Sequence, residues 1–246
     1  MHTKIAHITD LHLDEDFPQK QEVHSREHFR QVLEDIRDKG IKEIVCTGDI
    51  GENKGIEHFF RQLADFDLAV TLGNHDSFGQ VSPYLNKKSD GQDQKHYYST
   101  YQEGYQCIYL DSSQGVIDPT QLQWLRKALD TTKPILIFVH HPILGLELKV
   151  DEIGRLQNRG EVRTLLENTL NEITIFCGHY HMESYLQYKN IRQHITPAVS
   201  YQIEKNKNEI VLDTHTFGYR IIHLENGQVS SKIQTLSHAN KKTVTH

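Results

Sequence analysis

A chain of 246 residues with 37% hydrophobic and 24% charged side chains is ordinary for a soluble globular protein of one large or two small domains, and long enough to bury a core without disulfides or a structural metal. Its formal net charge of −6 comes without any Lys/Arg block, which excludes a basic arm for nucleic acid. An acidic chain that handles a phosphorylated substrate must create its positive field locally, and a bound metal does so directly.

The N-terminus, Met1-His2-Thr3-Lys4-Ile5, carries no apolar signal segment, and no run approaches a membrane span, so the expected location is cytoplasmic. Lys4 to Thr9 reads as the first strand, ending in Asp10-Leu11-His12; Asp14-Glu15-Asp16-Phe17-Pro18 follows as an acidic, turn-like loop. Ser25 as N-cap predicts a helix to about Lys39, with Phe29, Val32, Leu33 and Ile36 on one face and Gly40 as its stop. Ile41 to Thr47 is the second strand and ends in Gly48-Asp49. A helix near Ile56 to Ala64 leads to the third strand, which ends in Gly73-Asn74-His75-Asp76. This strand–helix–strand rhythm predicts βαβ units and a largely parallel sheet.

Tyr84 to Lys95 is polar and turn-rich, and Tyr97 to Tyr101 with Tyr105 to Leu110 predicts an antiparallel pair turning near Glu103-Gly104. Asp118 and Pro119 open a helix through about Leu129. Pro134 to Val139 is a strand ending in His140-His141-Pro142, and 144–160 reads as a surface loop or lid. A helix near Glu161 to Leu170 precedes the strand Ile173 to Cys177, which ends in Gly178-His179-Tyr180-His181. The short strands beyond, Ser184 to Tyr188, Ile191 to Thr196, Glu209 to Asp213, Tyr219 to Leu224 and Val229 to Leu236, suggest a second, more antiparallel sheet packed on the first. With no repeat and no linker, one domain over 1–236 and a polar tail over 237–246 are expected. Cys46, Cys107 and Cys177 sit at the ends of apolar runs, outside any Cys-x-x-Cys pair, and read as buried small hydrophobes.

Histidine is plentiful, at 17. His2, His24, His28, His58, His238 and His246 read as surface residues, but others fall at the five strand ends Asp10-x-His12, Gly48-Asp49, Gly73-Asn74-His75-Asp76, His140 and Gly178-His179-x-His181. In a parallel sheet such ends converge on one edge. Imidazole with carboxylate suits first-row divalent metals; calcium would prefer more oxygen and structural zinc more sulfur. Asp-x-His and His-x-His, on an extended chain, project both side chains to the same side. His141 and Tyr180 then point away from the metals, and Arg26 and Arg30 read as a solvated helix face.

The ordered set resembles the calcineurin-like metallophosphoesterase family, over Asp10 to His181. The resemblance implies a four-layered α/β sandwich with two central mixed sheets flanked by helices, and a phosphoester hydrolase with two divalent ions (manganese, iron or zinc). By motif, Asp10, His12, Asp49 and His181 would hold one ion, and Asp49, Asn74, His140 and His179 the other. His75 would face the substrate as general acid or transition-state hydrogen-bond donor. Asp76 would orient or charge-tune His75, or else cap the turn. The implied chemistry is in-line attack on phosphorus by a water or hydroxide between the ions.

Thr196-Pro197-Ala198-Val199-Ser200-Tyr201-Gln202 and Phe217-Gly218-Tyr219-Arg220 look like segments of the bacterial cyclic-nucleotide phosphodiesterases of this family, with Phe217 where a proline and Ala198 where a serine is usual. Tyr97-Tyr98-Ser99, Leu110-Asp111-Ser112 and Gln121-Leu122-x-Trp124-Leu125 look like the same branch. Glycerophosphodiesterases share the framework. The expected substrate is therefore a small phosphodiester, with phosphomonoester or nucleotide hydrolysis as the alternative and a non-catalytic binding module as the remaining class. Neither long nucleic acid nor membrane is expected as a partner; family analogy admits a homodimer through the C-terminal strands or the 144–160 loop.

Overall fold

Alternation within the first strand sets the layers. In β1 (His2–Ile8), Ala6 and Ile8 face one side and Ile5 the other. In β2 (Glu43–Cys46), Ile44 and Cys46 join Ala6 and Ile8, while Val45 joins Ile5; Val70 and Ala69 of β3 (Asp67–Val70) divide likewise. A strand apolar on both faces is a strand covered on both faces. One side is covered by helices and the other by a second sheet. The computed structural model describes residues 2–85, 89–91, 94–225 and 227–237; most of the expected polar tail lies outside them.

β1, β2 and β3 pair in parallel. After a short α1 (Asp16–Lys20), α2 (Ser25–Asp38) and α3 (Lys54–Gln62) make the crossovers. Phe29, Val32, Leu33 and Ile36 form the buried stripe of α2. Gly40 ends it at φ 66°, its N–H donating to Arg37 O and that of Ile41 to Ile36 O, a Schellman closure. Its start lies one residue earlier than expected: Ser25 is already helical, and His24 occupies the cap position. Part of the acidic loop is likewise helical, as α1. The small α4 (Phe78–Val81) follows the third strand end.

The second sheet begins with β4 (Tyr98–Gln102) and β5 (Tyr105–Tyr109), the expected antiparallel pair, turning at Glu103 and Gly104, both with positive φ. It continues in parallel through β6 (Ile135–Phe138), β7 (Ile173–Cys177) and β9 (Ile191–Ile195), and β8 (Ser184–Tyr188) closes its edge. α5 (Pro119–Ala128), capped by Asp118 through the N–H groups of Thr120 and Gln121, covers its outer face with α6 (Lys149–Gly154) and α7 (Arg159–Glu167). The 144–160 segment is therefore helical in part, with Val150 and Leu156 buried, and is not a free loop.

The C-terminal strands correct the expectation of a separate antiparallel sheet. β8 and β9 extend the second sheet. β12 (Thr216–Glu225) pairs antiparallel with β1, His7 opposite Arg220, and β13 (Gln228–Ser237) pairs with β12, so these extend the first. The Glu209–Asp213 strand shrinks to β11 (Leu212–Asp213), which pairs with β10 (Gln202–Ile203). The result is an α/β sandwich of sheets β13-β12-β1-β2-β3 and β4-β5-β6-β7-β9-β8. Between them Ile5, Val45, Ile222 and Leu224 meet Tyr109, Leu136, Phe138 and Phe176. All three cysteines are buried thiols outside any disulfide. Among the described residues no helix is long and apolar enough to cross a membrane.

Candidate metal centre

At the strand ends the backbone leaves the ladder abruptly. Asp10, His12, Asp49, His179 and His181 all have positive φ, from 47° to 70°. Such a conformation costs a non-glycine residue about 1–3 kcal/mol and persists where the surroundings enforce it. The expectation that Asp-x-His and His-x-His run extended is thus corrected: β1 stops at Ile8 and β7 at Cys177, and left-handed residues aim the ligands inward. Backbone bonds fix the turns, with Asp10 N–H donating to Gly48 O (3.0 Å) and His12 N–H to Asp49 O (2.9 Å). Gly73 lies so close to Asp49 that a Cβ there would collide with its Oδ1.

Two groups of ligand atoms draw on the strand ends of both sheets, Asp10, His12 and His181 in one, Asp49, His140 and His179 in the other; a further group among the described residues, His12, Glu15 and His75, shares His12 with the first. Asn74 Oδ1 lies 3.1 Å from His140 Nε2 and so joins the second. Asp49 stands between the first two groups, with Oδ2 3.4 Å from His140 Nε2 and 3.6 Å from His12 Nε2.

The outer hydrogen bonds fix which nitrogen of each ring carries a proton. His140 Nδ1 donates to Thr47 O (2.9 Å), His181 Nδ1 to Tyr201 O (3.0 Å) and His179 Nε2 to Gly154 O (2.6 Å), since a carbonyl only accepts. His12 Nδ1 lies 3.0 Å from a Glu15 carboxylate oxygen. The remaining nitrogens face one another: His12 Nε2 and His181 Nε2 at 3.1 Å, His140 Nε2 and His179 Nδ1 at 3.1 Å. Such nitrogens repel through their lone pairs unless a cation, a proton or a metal ion, lies between them. Ligands each about 2.0–2.2 Å from one ion lie about 3.0–3.5 Å apart, so the donor set fits two first-row divalent ions. The carbonyl and carboxylate partners are the outer shell that metal-bound imidazoles require.

His75 stands beside the first group, 47% exposed, its ring 4.8 Å from that of His12. Its Nδ1 is 2.9 Å from Glu15 Oε2, so the expected Asp76 partnership is corrected. Both Asp76 oxygens are taken by backbone N–H groups, Oδ2 by Asp49 and Gly73, Oδ1 by Ile50. Asp76 therefore caps the turn, the second reading of that residue. Glu15 was hidden in the acidic loop; the available signal was a carboxylate three residues past a ligating histidine, within a turn's reach of it.

Other expectations also change at this edge. His141 does not turn away: beyond the end of β6 strand alternation no longer applies, and its ring lies 4.2 Å from that of His179, with Nδ1 2.8 Å from Ser112 Oγ. His28 is buried, stacked on Phe217 and bonded to Ser200 O, rather than at the surface. Tyr180 packs in the core with its hydroxyl on Asp151, and Arg26 and Arg30 pair with acids of their own surface.

The calcineurin-like phosphoesterase pattern matches residues 3–183, most of the chain. The chain belongs to that family. Among its relatives, a probable cyclic nucleotide phosphodiesterase of Fibrobacter succinogenes is 27% identical, over 94% of this chain and 93% of that one. The 3',5'-cyclic adenosine monophosphate phosphodiesterase CpdA of Escherichia coli K12 is 29% identical, over 95% and 90%. The crystal structure of a dimetal phosphatase from Danio rerio shares the fold, with TM-score 0.66 at 13% identity, over 96% and 99%. The chain is accordingly a metal-dependent phosphoesterase.

The electrostatics of this phosphoesterase favour positive charge at its centre. Burial works against a charge on His140, but Asp49 and Asp10 outweigh it and lift the ring to about 9. Burial would raise Asp49, but His140 and His12 hold it well below the usual carboxylate range. Burial and His140 push His179 down to about 3. Burial, then Asp49, push Asp76 up to about 7.

Proposed function

We propose that this phosphoesterase hydrolyses small phosphodiesters, cyclic nucleotides first and glycerophosphodiesters second. The observation that carries the reading is the convergence of imidazole nitrogens, carboxylates and Asn74 Oδ1 around two points, with a half-exposed histidine beside them. In this reading Asp10, His12, Asp49 and His181 hold one divalent ion, and Asp49, Asn74, His140 and His179 the other. When bound, such a pair neutralises phosphoryl charge and lowers the pKa of a water that becomes the nucleophile.

The protein groups do the rest. Asp49 sets the spacing of the two positions from between them. His75 lies outside both groups and, with Nδ1 committed to Glu15, keeps Nε2 for the leaving oxygen, to which it transfers a proton as the bond to phosphorus breaks. The exposed Phe17 stands 6.1 Å from Tyr201, whose ring is 4.4 Å from that of His181. This aromatic wall beside the ligands suits a nucleobase, since stacking on such a ring contributes about 1–3 kcal/mol. The relatives named for cyclic nucleotides support the same choice.

The test is a substrate panel on manganese-reloaded protein. The expected order of kcat/KM is 3',5'-cyclic nucleotide, then glycerophosphodiester, then the matching monoesters. A preference for monoesters would overturn the diester reading and favour phosphomonoester hydrolysis at the same site; no turnover of any ester with manganese, iron or zinc would leave a binding module.

A further inference from the structure

The acidic stretch Asp14-Glu15-Asp16 looks uniform in sequence, but its three carboxylates have separate fates. Asp14 lies on the surface against Arg26, and Asp16 against Lys20. Glu15 alone turns inward and is buried. It occupies the N-cap of α1 yet makes no cap bond. Its Oε2 lies 3.0 Å from His12 Nδ1 and 2.9 Å from His75 Nδ1, while Oε1 is buried without a protein partner. Burying a carboxylate is costly unless it is compensated. Here the compensation comes from two imidazoles, one from the metal-ligand set and one from outside it.

We infer that Glu15 is the positioning residue of the centre: one carboxylate oxygen holds the Nδ1–H of both His12 and His75, so that neutral His12 keeps Nε2 bare for a metal while His75, as the imidazolium, presents its Nε2–H to the leaving group. An ionised carboxylate only accepts hydrogen bonds, so both Nδ1 atoms must carry protons. The two rings also meet edge to face, 4.8 Å apart at 88°, so the oxygen that orients one constrains the other. Asp76 instead directs both oxygens to the backbone N–H groups of Asp49, Ile50 and Gly73. The inference rests on the phosphodiesterase reading, and it assigns the proton delivered to the leaving oxygen to an acid whose geometry is set from the Asp10-x-His12 loop.

The test joins spectra of zinc-loaded protein with rates of manganese-loaded protein. With 15N-labelled histidine, His75 should show a proton on Nδ1, a signal that Glu15→Ala loses and Glu15→Gln, whose amide oxygen still accepts, retains. On a glycerophosphodiester, whose leaving alkoxide needs a proton, Glu15→Ala should lower kcat about 10²-fold with KM little changed. On bis(p-nitrophenyl) phosphate, whose leaving phenolate needs none, the loss should be roughly tenfold smaller or less, following the share of the barrier owed to general acid. In a His75→Ala background, removing Glu15 should cost no further kcat at saturating manganese, its role on His12 showing instead as weaker manganese binding. Equal losses on the two esters, additive losses in the double variant, or a wild-type His75 protonated on Nε2 alone would overturn the inference. The last readout stands even where Glu15→Ala fails to fold. If wild type cleaves neither ester, the functional reading fails while the His75 spectrum still decides the role of Glu15.

Discussion

The charge on His75 is set by two carboxylates, Glu15 first and Asp49 second. Its hydrogen bond to Glu15 lifts the ring from 6.5 to about 9, against burial and His140. On Glu15, burial pushes upward, but the bonds from His12 and His75 outweigh it and hold the carboxyl down to about 2. His75 and His140, both at about 9 in the folded metal-free protein, keep protons that the unfolded chain releases near 6.5. Their contribution to stability is complete below about pH 6.5 and disappears as pH rises through 9. Glu15 acts at the other end: its contribution is present above about pH 4.5 and is lost as pH falls through 2. In chelator, Tm should fall between pH 6.5 and 9.5, less steeply in Glu15→Gln; a wild-type Tm constant across that window contradicts these assignments. The residues proposed as ligands stood out in the sequence because each is a polar residue closing an apolar run. Glu15 did not, because nothing in a run of three acids says which one a turn will bury.

At the scale of elements, strand ends and turns carry the site together. The apolar runs identified each strand that carries a site motif, although β1, β2, β3 and β6 stop one or two residues short of the end of the run. They could not say which neighbour a strand would pair with, so β12 and β13 looked like part of another sheet although β12 lies beside β1. Nor could alternation predict ligands beyond the last ladder bond, where positive φ at Asp10, His12, His179 and His181 replaces extended geometry. α6 was unreadable for a different reason: at Lys149–Gly154 it is too short to show a helical period, yet its last carbonyl holds His179. Gly73 shows how tightly these ends meet. A Cβ there collides with the Asp49 carboxylate. Gly73→Ala should therefore destabilise the protein by about 1–3 kcal/mol through overpacking and weaken metal binding, as read by denaturant unfolding and metal titration. Wild-type metal affinity in that variant contradicts the close approach.

For the whole molecule, the important fact is that each of the two ligand groups proposed to hold an ion spans both sheets. Asp10 and His12 follow β1 and His181 follows β7; Asp49 and Asn74 follow β2 and β3, whereas His140 and His179 follow β6 and β7. Metal binding then ties together two layers otherwise joined by the apolar contacts of Phe138, Phe176 and their partners. An ion at a hundredfold excess over its Kd stabilises the native state by about 2.7 kcal/mol. Two such ions in a chain of this size should raise Tm by roughly 10–20 °C. Scanning calorimetry with and without manganese checks this; a shift below the error of the scan would mean that the two groups do not bind metal in the folded state.

The central claim is that the converging strand ends form a two-ion catalytic centre. Turnover of a phosphodiester by metal-free protein, titrated with manganese while bound metal is counted, tests it most directly. The structure predicts no turnover without metal and a plateau at two ions per chain. Full activity after exhaustive chelation, or a plateau reached with a single ion bound, would contradict it.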